Sequence, residues 1–149
     1  MRAVVQRVSS ASVSVRGDQV AAIGPGLMVL VGLGVGDGAD ELDYLARKIV
    51  SLRVFEDADG RMNLSVAETG GELLLVSQFT LYGNTRKGCR PSFVDAMPVE
   101  QARAFWPQVE RRFLETGLVC RFGVFQGEMS CTIVNEGPVT IIIDSSDRR

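Results

Sequence analysis

The sequence predicts an α+β protein: a mostly antiparallel β-sheet with a barrel-like core and two helices packed against it, in one domain over residues 1–149. Three observations carry that expectation. Segments with strand character outnumber helical ones, the two helical segments do not alternate regularly with the strands, and no repeat or linker divides the chain. A length of 149 residues, 46% apolar and 23% charged, suits a single core, since chains of this size bury roughly 68–70% of their unfolded surface.

Residues 3–8 and 11–15 alternate as strands do. Ala11, Val13 and Val15 fall on one face, Ser12, Ser14 and Arg16 on the other. "RGDQ" at 16–19 reads as a hairpin turn into "VAAI", and "GPG" at 24–26 as a second turn. "LMVLVGL" that follows has the β-branched, unbroken apolar character of a strand buried on both faces. From Asp40 the period changes: Leu42, Leu45, Ile49 and Leu52 form one stripe of an amphipathic helix. "FEDADGRMNLS" reads as a loop and "GELLLVSQFTL" (71–81) as the next buried strand. A polar, basic loop spans 84–95. The second helix starts near Pro98, presents Ala102, Phe105, Val109 and Phe113, and stops at Gly117. Pro107 lies inside it, lacks an N–H, and is expected to kink or split it. "MSCTIV" and "VTIII" are two further strands before a polar tail, "DSSDRR".

Composition narrows the chemistry. There is no histidine, so the usual general base and the commonest metal ligand are missing, and neither a metal site nor a cofactor is expected. Cys89, Cys120 and Cys131 are odd in number and lack paired spacing, which points to reduced thiols in a cytoplasmic protein. The opening "MRAVVQRVSSASVSV" is too interrupted for a signal or membrane span, so no membrane partner is expected. A net charge of −2 argues against gripping nucleic acid through a broad basic face; an RNA partner would be held at a restricted site.

Several motifs have competing readings. "GLGVGDG" (32–38) has the wrong glycine spacing for a dinucleotide loop and no following lysine, and is better read as a softened strand end entering a helix. "DADG" (57–60) resembles part of a calcium loop, but Met62 stands where the sharp turn needs glycine. In "LLLVSQFTLYG" the polar Ser77, Gln78 and Thr80 enter just after a fully apolar run. Each buried without a partner would cost ~1–3 kcal/mol, so they either reach solvent at a strand end or face a pocket, with Phe79 as an aromatic wall. "NEGPVT" (135–140) is either an ordinary turn or a rigid pair of acceptor carbonyls. Arg86, Lys87 and Arg90, in "NTRKGCRPSF", form either a solvated face or a small phosphate-contacting patch.

Taken together, "SQFTL" at 77–81 and "NEGPVT" at 135–140 closely resemble the two signature motifs of the D-aminoacyl-tRNA deacylases. Supporting matches are "QRVSSASVSV" (6–15), "DGRMNLSV" (59–66) and "RKGCRPSF" (86–93), so the resemblance covers essentially the whole chain. Glu136, where the family often has Asp, and Pro107 are small departures. The resemblance implies a homodimer, with active sites at the subunit interface, that hydrolyses the ester joining a D-amino acid or glycine to the 3′ acceptor end of tRNA. It implies catalytic positions at Ser77, Gln78, Phe79 and Thr80. It also implies a cis Gly137–Pro138 bond that reaches the partner's pocket and rejects L side chains, supported by Arg7 and Asn135. Arg86, Lys87 and Arg90 would meet the tRNA.

Without histidine, a nucleophilic Thr80 has no evident base. Backbone N–H groups near Phe79 and Thr80 acting as an oxyanion hole make the better hypothesis, and the family resemblance implies that the tRNA 2′-hydroxyl assists the attack. Rival readings are a non-catalytic module binding the tRNA acceptor end, a structural oligomer, and an esterase acting on another small acyl-nucleotide.

Overall fold

In the computed structural model, which describes residues 1–148, the sheet is organised around one long strand, β1 (Arg2–Val15). Arg149, the last residue of the expected tail, lies outside the described residues. Along one edge β1 takes two antiparallel partners in succession: β2 (Asp18–Ile23) on residues 11–15 and β3 (Gly26–Gly32) on residues 2–8. After α1 (Ala39–Val50), β4 (Phe55–Glu56) and β5 (Met62–Leu64) form a small hairpin where a plain loop was expected. A one-turn helix, α2 (Val66–Thr69), leads to β6 (Glu72–Ser77). After α3 (Val99–Leu114) comes β7 (Cys120–Phe122). β6 lies parallel to β3, and β7 parallel to β6. The last strand, β8 (Met129–Asp144), runs antiparallel along the opposite edge of β1. Antiparallel pairing thus predominates, with β6 and β7 as parallel additions.

The unbroken apolar runs of β3 and β6 follow from burial on both faces. Leu27, Val29, Leu73 and Leu75 pack against Leu45 and Ile49 of α1 and Val109 and Phe113 of α3. Met28, Leu74 and Val76 face the other way, against Val8, Val13, Ala21 and Ile23, with Met129 and Ile133 of β8 closing that side. The sheet therefore curls round a second core, barrel-like, with the helices outside it. Among the described residues no helix is long and apolar enough to cross a membrane.

Four further sequence expectations are corrected. First, α3 is one helix, not split at Pro107. Pro107 and Arg103, the residue whose carbonyl loses its amide partner, are both exposed, so water can satisfy that carbonyl. Second, its buried stripe is Ala102, Trp106, Val109 and Phe113, with Phe105 only half-buried. Trp106 also needs a polar partner, and donates from Nε1 to Glu110 at 2.9 Å.

Third, the strand through "SQFTL" stops at Ser77. Its last ladder bond, Gln78 N–H to the Val31 carbonyl at 2.7 Å, comes where β3 itself ends. With no strand to pair with, Phe79–Tyr82 forms a 3₁₀ turn instead. Fourth, "MSCTIV" and "VTIII" belong to one strand carrying a large bulge. Gln6 pairs with Thr140 and Val8 with Asn135, so residues 136–139 stand opposite Arg7 alone. Surplus residues on one strand must leave the ladder and bend outward. The Gly137–Pro138 peptide within the bulge is cis, and Glu136, Gly137 and Pro138 are exposed.

Candidate active site

Where β6 ends, a cavity of about 730 Å³ opens between the sheet and the start of α3. Ser77, Gln78 and Phe79 form one wall, Val31, Leu33 and Val76 the floor. Met97, Val99, Phe125, Met129 and Cys131 complete an apolar lining. None of the lining residues is a carboxylate, lysine or arginine. The one titratable side chain there is Cys131, whose thiol burial pushes up. The cavity is thus shaped for an apolar or aromatic group and for polarisation by neutral donors, not for proton transfer between charged side chains.

The turn after Ser77 carries candidates for such donors: Phe79 lines the cavity, whereas Thr80, the next residue, does not. The first amides of a helical turn have no carbonyl behind them to bond. Among the described residues, neither the Phe79 nor the Thr80 N–H donates a hydrogen bond. The Gln78 side-chain amide donates to Thr80 Oγ1, and no carboxylate or amine lies within hydrogen-bond reach of that hydroxyl among the described residues. Phe79 is 58% exposed and meets Phe93 edge-on, with ring centres 5.0 Å apart and planes at 68°.

Phe93 follows directly on the basic loop, whose ends are pinned by paired Asn84 and Ser92 backbones at 2.8 and 2.9 Å. Arg86, Lys87 and Arg90 are all exposed on that loop and make no ion pair among the described residues. A positively charged loop is therefore anchored beside the mouth of the cavity through its aromatic end.

Gly137 and Pro138 do not line this cavity. They sit on the β8 bulge, steadied by Arg7 from β1. Arg7 is 7% exposed; its Nε donates to the Glu136 carbonyl at 3.1 Å and its Nη1 to the Val54 carbonyl at 2.6 Å. Gly137 holds φ at +123°, and a Cβ there would lie 2.9 Å from Val139 Cγ2 and 3.1 Å from Arg7 Nη2. Asn135 is exposed at the bulge's foot, registered with Val8. The chain thus brings Ser77, Gln78 and Phe79 together with Phe93, and keeps the Gly-Pro bulge apart from them.

Sequence reading missed the far wall, Met97, Phe125 and Met129, because these residues come from three separate segments with no shared periodicity. It also missed a polar cluster behind the turn. There Asp37 takes the Met1 ammonium at 2.6 Å and the Gly34 N–H at 2.6 Å. Tyr82 donates to Asp37 at 3.4 Å; burial, together with the charges of Asp37 and Asp144, pushes its phenol well above the usual range, so it stays neutral. "DADG" is a turn, with Asp57 Oδ1 accepting from the Asp59 and Arg61 amides. The three cysteines are free, Cys89 and Cys131 exposed and Cys120 buried.

The chain belongs to the D-Tyr-tRNA(Tyr) deacylase family, whose model matches residues 4–144. It is 53% identical over 145 residues, covering 97% of each chain, to a protein of Desulfitobacterium hafniense (strain DSM 10664 / DCB-2) named D-aminoacyl-tRNA deacylase. A protein of Myxococcus xanthus (strain DK1622) with the same name is 50% identical, over 97% of this chain and 95% of its own. Among solved structures, one described as c-Myc DNA Unwinding Element Binding Protein superposes with a TM-score of 0.91 at 44% identity, covering 97% of this chain and 98% of that one.

Proposed function

We propose that this chain hydrolyses D-aminoacyl-tRNA, releasing the free D-amino acid and tRNA, in the cytoplasm and as a homodimer of one-domain subunits. The observation that carries the reading is a pair of amides without partners among the described residues, that of Phe79, which lines an uncharged cavity an aromatic group can fill, and that of Thr80 beside it. An ester carbonyl seated against them gains two donors for the negative charge that develops when water attacks, each worth ~2.7–4 kcal/mol in comparable sites. The attack breaks the ester C–O bond and the terminal ribose hydroxyl leaves with a proton. With no histidine in the chain, the adjacent 2′-hydroxyl of the tRNA assists that attack. The terminal adenine lies against Phe79, and Arg86, Lys87 and Arg90 meet phosphates of the acceptor end.

Stereochemistry is read by the bulge. Because Gly137 and Pro138 are exposed and do not line the cavity of their own chain, they act on the cavity of a second copy. There their carbonyls meet the substrate's α-amino group and leave no room for an L side chain. Glycine has no side chain to reject, so glycyl-tRNA, including glycine mischarged on tRNA-Ala, is also a substrate. Names carried by relatives at 50–53% identity support the reaction class.

The test is hydrolysis of D-Tyr-tRNA against L-Tyr-tRNA, counting product per subunit. Multiple turnovers on the D substrate alone are expected. Product that stops at or below one per subunit favours the non-catalytic acceptor-end module instead.

A further inference from the structure

The Phe79–Tyr82 turn is closed by Leu81 N–H to the Gln78 carbonyl at 3.3 Å and Gly83 N–H to the Thr80 carbonyl at 2.9 Å. Those bonds set the shape of the turn, whereas its orientation relative to the sheet depends on what surrounds it. Its seat is made by "GLGVGDG", the glycine segment that phosphate binding does not explain. A Cβ on Gly32 would lie 3.1 Å from Leu81 Cβ and 3.3 Å from Tyr82 Cδ2; one on Gly34 would lie 2.5 Å from the Tyr82 hydroxyl. These glycines let the turn fold back onto the end of β3, and Asp37 holds Tyr82 from below.

Arg2 closes the seat from the other side. Its Nη1 donates to the Leu81 carbonyl at 3.2 Å, its Nε to Asp144 at 2.7 Å, and its guanidinium carbon lies 4.5 Å from the centre of the Tyr82 ring. We propose that Arg2 is a positioning residue for the reaction: held by Asp144, it caps the far end of the 79–82 turn and thereby aims the Phe79 and Thr80 amides into the cavity.

The last carbonyls of a helical turn have no internal donor, and a cation there satisfies them. The planar guanidinium grips in two directions while stacking in a third, which an ammonium cannot do. Stabilisation alone does not explain the arrangement. The Arg2–Asp144 pair is partly exposed, with side chains 42% and 21% accessible, and such pairs add little to stability. Aim matters more, because a hydrogen bond weakens steeply as its angle departs from linear.

The inference rests on the deacylase reading, and the test separates the two. Arg2→Met and Arg2→Lys are made in the full chain, and kcat and KM for D-Tyr-tRNA are measured alongside the amide NMR resonances of Phe79 and Thr80. Arg2→Met is expected to lower kcat by about tenfold or more with KM within about twofold, the pattern of an interaction realised in the transition state. Arg2→Lys recovers part of the loss, and both amide resonances move in the Met variant. Unmoved amides, or an unchanged kcat, overturn the proposal. If the wild-type chain does not cleave D-Tyr-tRNA, the deacylase reading falls and the amide resonances alone decide whether Arg2 sets the turn. If Arg2→Met does not fold, Arg2→Lys is judged by the same measurements.

Discussion

Arg7 Nε donates to the Glu136 carbonyl at 3.1 Å, tying the middle of β1 to the shoulder of the bulge that faces it. The same side chain reaches the Val54 carbonyl at 2.6 Å through Nη1. One buried cation thus joins the first strand, the segment before the small hairpin, and the Gly-Pro bulge. Removing it leaves two carbonyls without their charged donor, and bonds of that kind contribute ~1.5–3 kcal/mol each. Arg7→Met is expected to destabilise the fold by about 3 kcal/mol in denaturant titrations, on that basis. It should also reduce the preference for D-Tyr-tRNA over L-Tyr-tRNA, since the bulge loses its brace. Unchanged discrimination would separate Arg7 from stereochemical reading.

Gly137→Ala tests the bulge directly. At φ +123° an L side chain is strained, and the added methyl would crowd Val139 and Arg7 at 2.9 and 3.1 Å. A conformation of that kind costs ~1–3 kcal/mol for a residue with a Cβ. The bulge projects from the ladder, so the global melting temperature should fall only modestly. Activity on D-Tyr-tRNA should fall far more. A variant that keeps both rate and enantiomer preference would show that the bulge plays no part in recognition.

Mixed dimers locate the bulge's partner. A subunit with Gln78→Ala keeps its bulge, and one with Gly137→Ala keeps its cavity wall. If each bulge serves the other chain's cavity, mixing the two impaired proteins gives more activity on D-Tyr-tRNA than either alone. Mixtures no more active than either parent would place bulge and cavity in the same subunit.

Among the described residues the Thr80 hydroxyl hydrogen-bonds only to the Gln78 side-chain amide, and a hydroxyl without a base is a weak nucleophile. Thr80→Ala should therefore retain a single-turnover rate close to wild type. A tRNA ending in 2′-deoxyadenosine should be cleaved poorly. The reverse pair of results would make Thr80 the nucleophile.

Acid stability should follow Asp144. Desolvation pushes its carboxyl up, but hydrogen bonds from Ser146 and Arg2 outweigh that and hold it below the usual range. Glu41 is lowered too, chiefly by the Gly38 N–H. A carboxylate depressed in the fold contributes stability above its unfolded value and loses it as pH falls through the folded one. Melting temperature should thus be insensitive to these groups from pH 7 to 5 and drop below about pH 4, given ordinary carboxylate values near 4. Asp144→Asn should flatten part of that acid limb; an identical limb in the variant would assign it to other carboxylates.

Much of this fold was legible without coordinates because its signals are local. Leu42, Leu45 and Ile49 fall on the buried face of α1, which ends at Val50, short of the fourth expected member, Leu52; the continuous apolar runs of β3 and β6 required cover on both faces, which the helices and the curled sheet supply. The resemblance of "SQFTL" and "NEGPVT" to deacylase motifs led to the family that the comparison shows.

Other features depended on relations between distant segments. Where β3 ends decides that Phe79 and Thr80 leave the strand and keep their amides free. What β1 offers at Arg7 decides that residues 136–139 leave the ladder. The glycines of "GLGVGDG" acquire a meaning only once Tyr82 lies against them, and Pro107 is tolerated because its face of α3 looks into water. The sequence by itself determined which faces must be buried, because burial follows side-chain chemistry repeated at a fixed period. Only the tertiary structure decided which backbone groups are left without partners, because a hydrogen bond is made or lost according to which strand lies alongside.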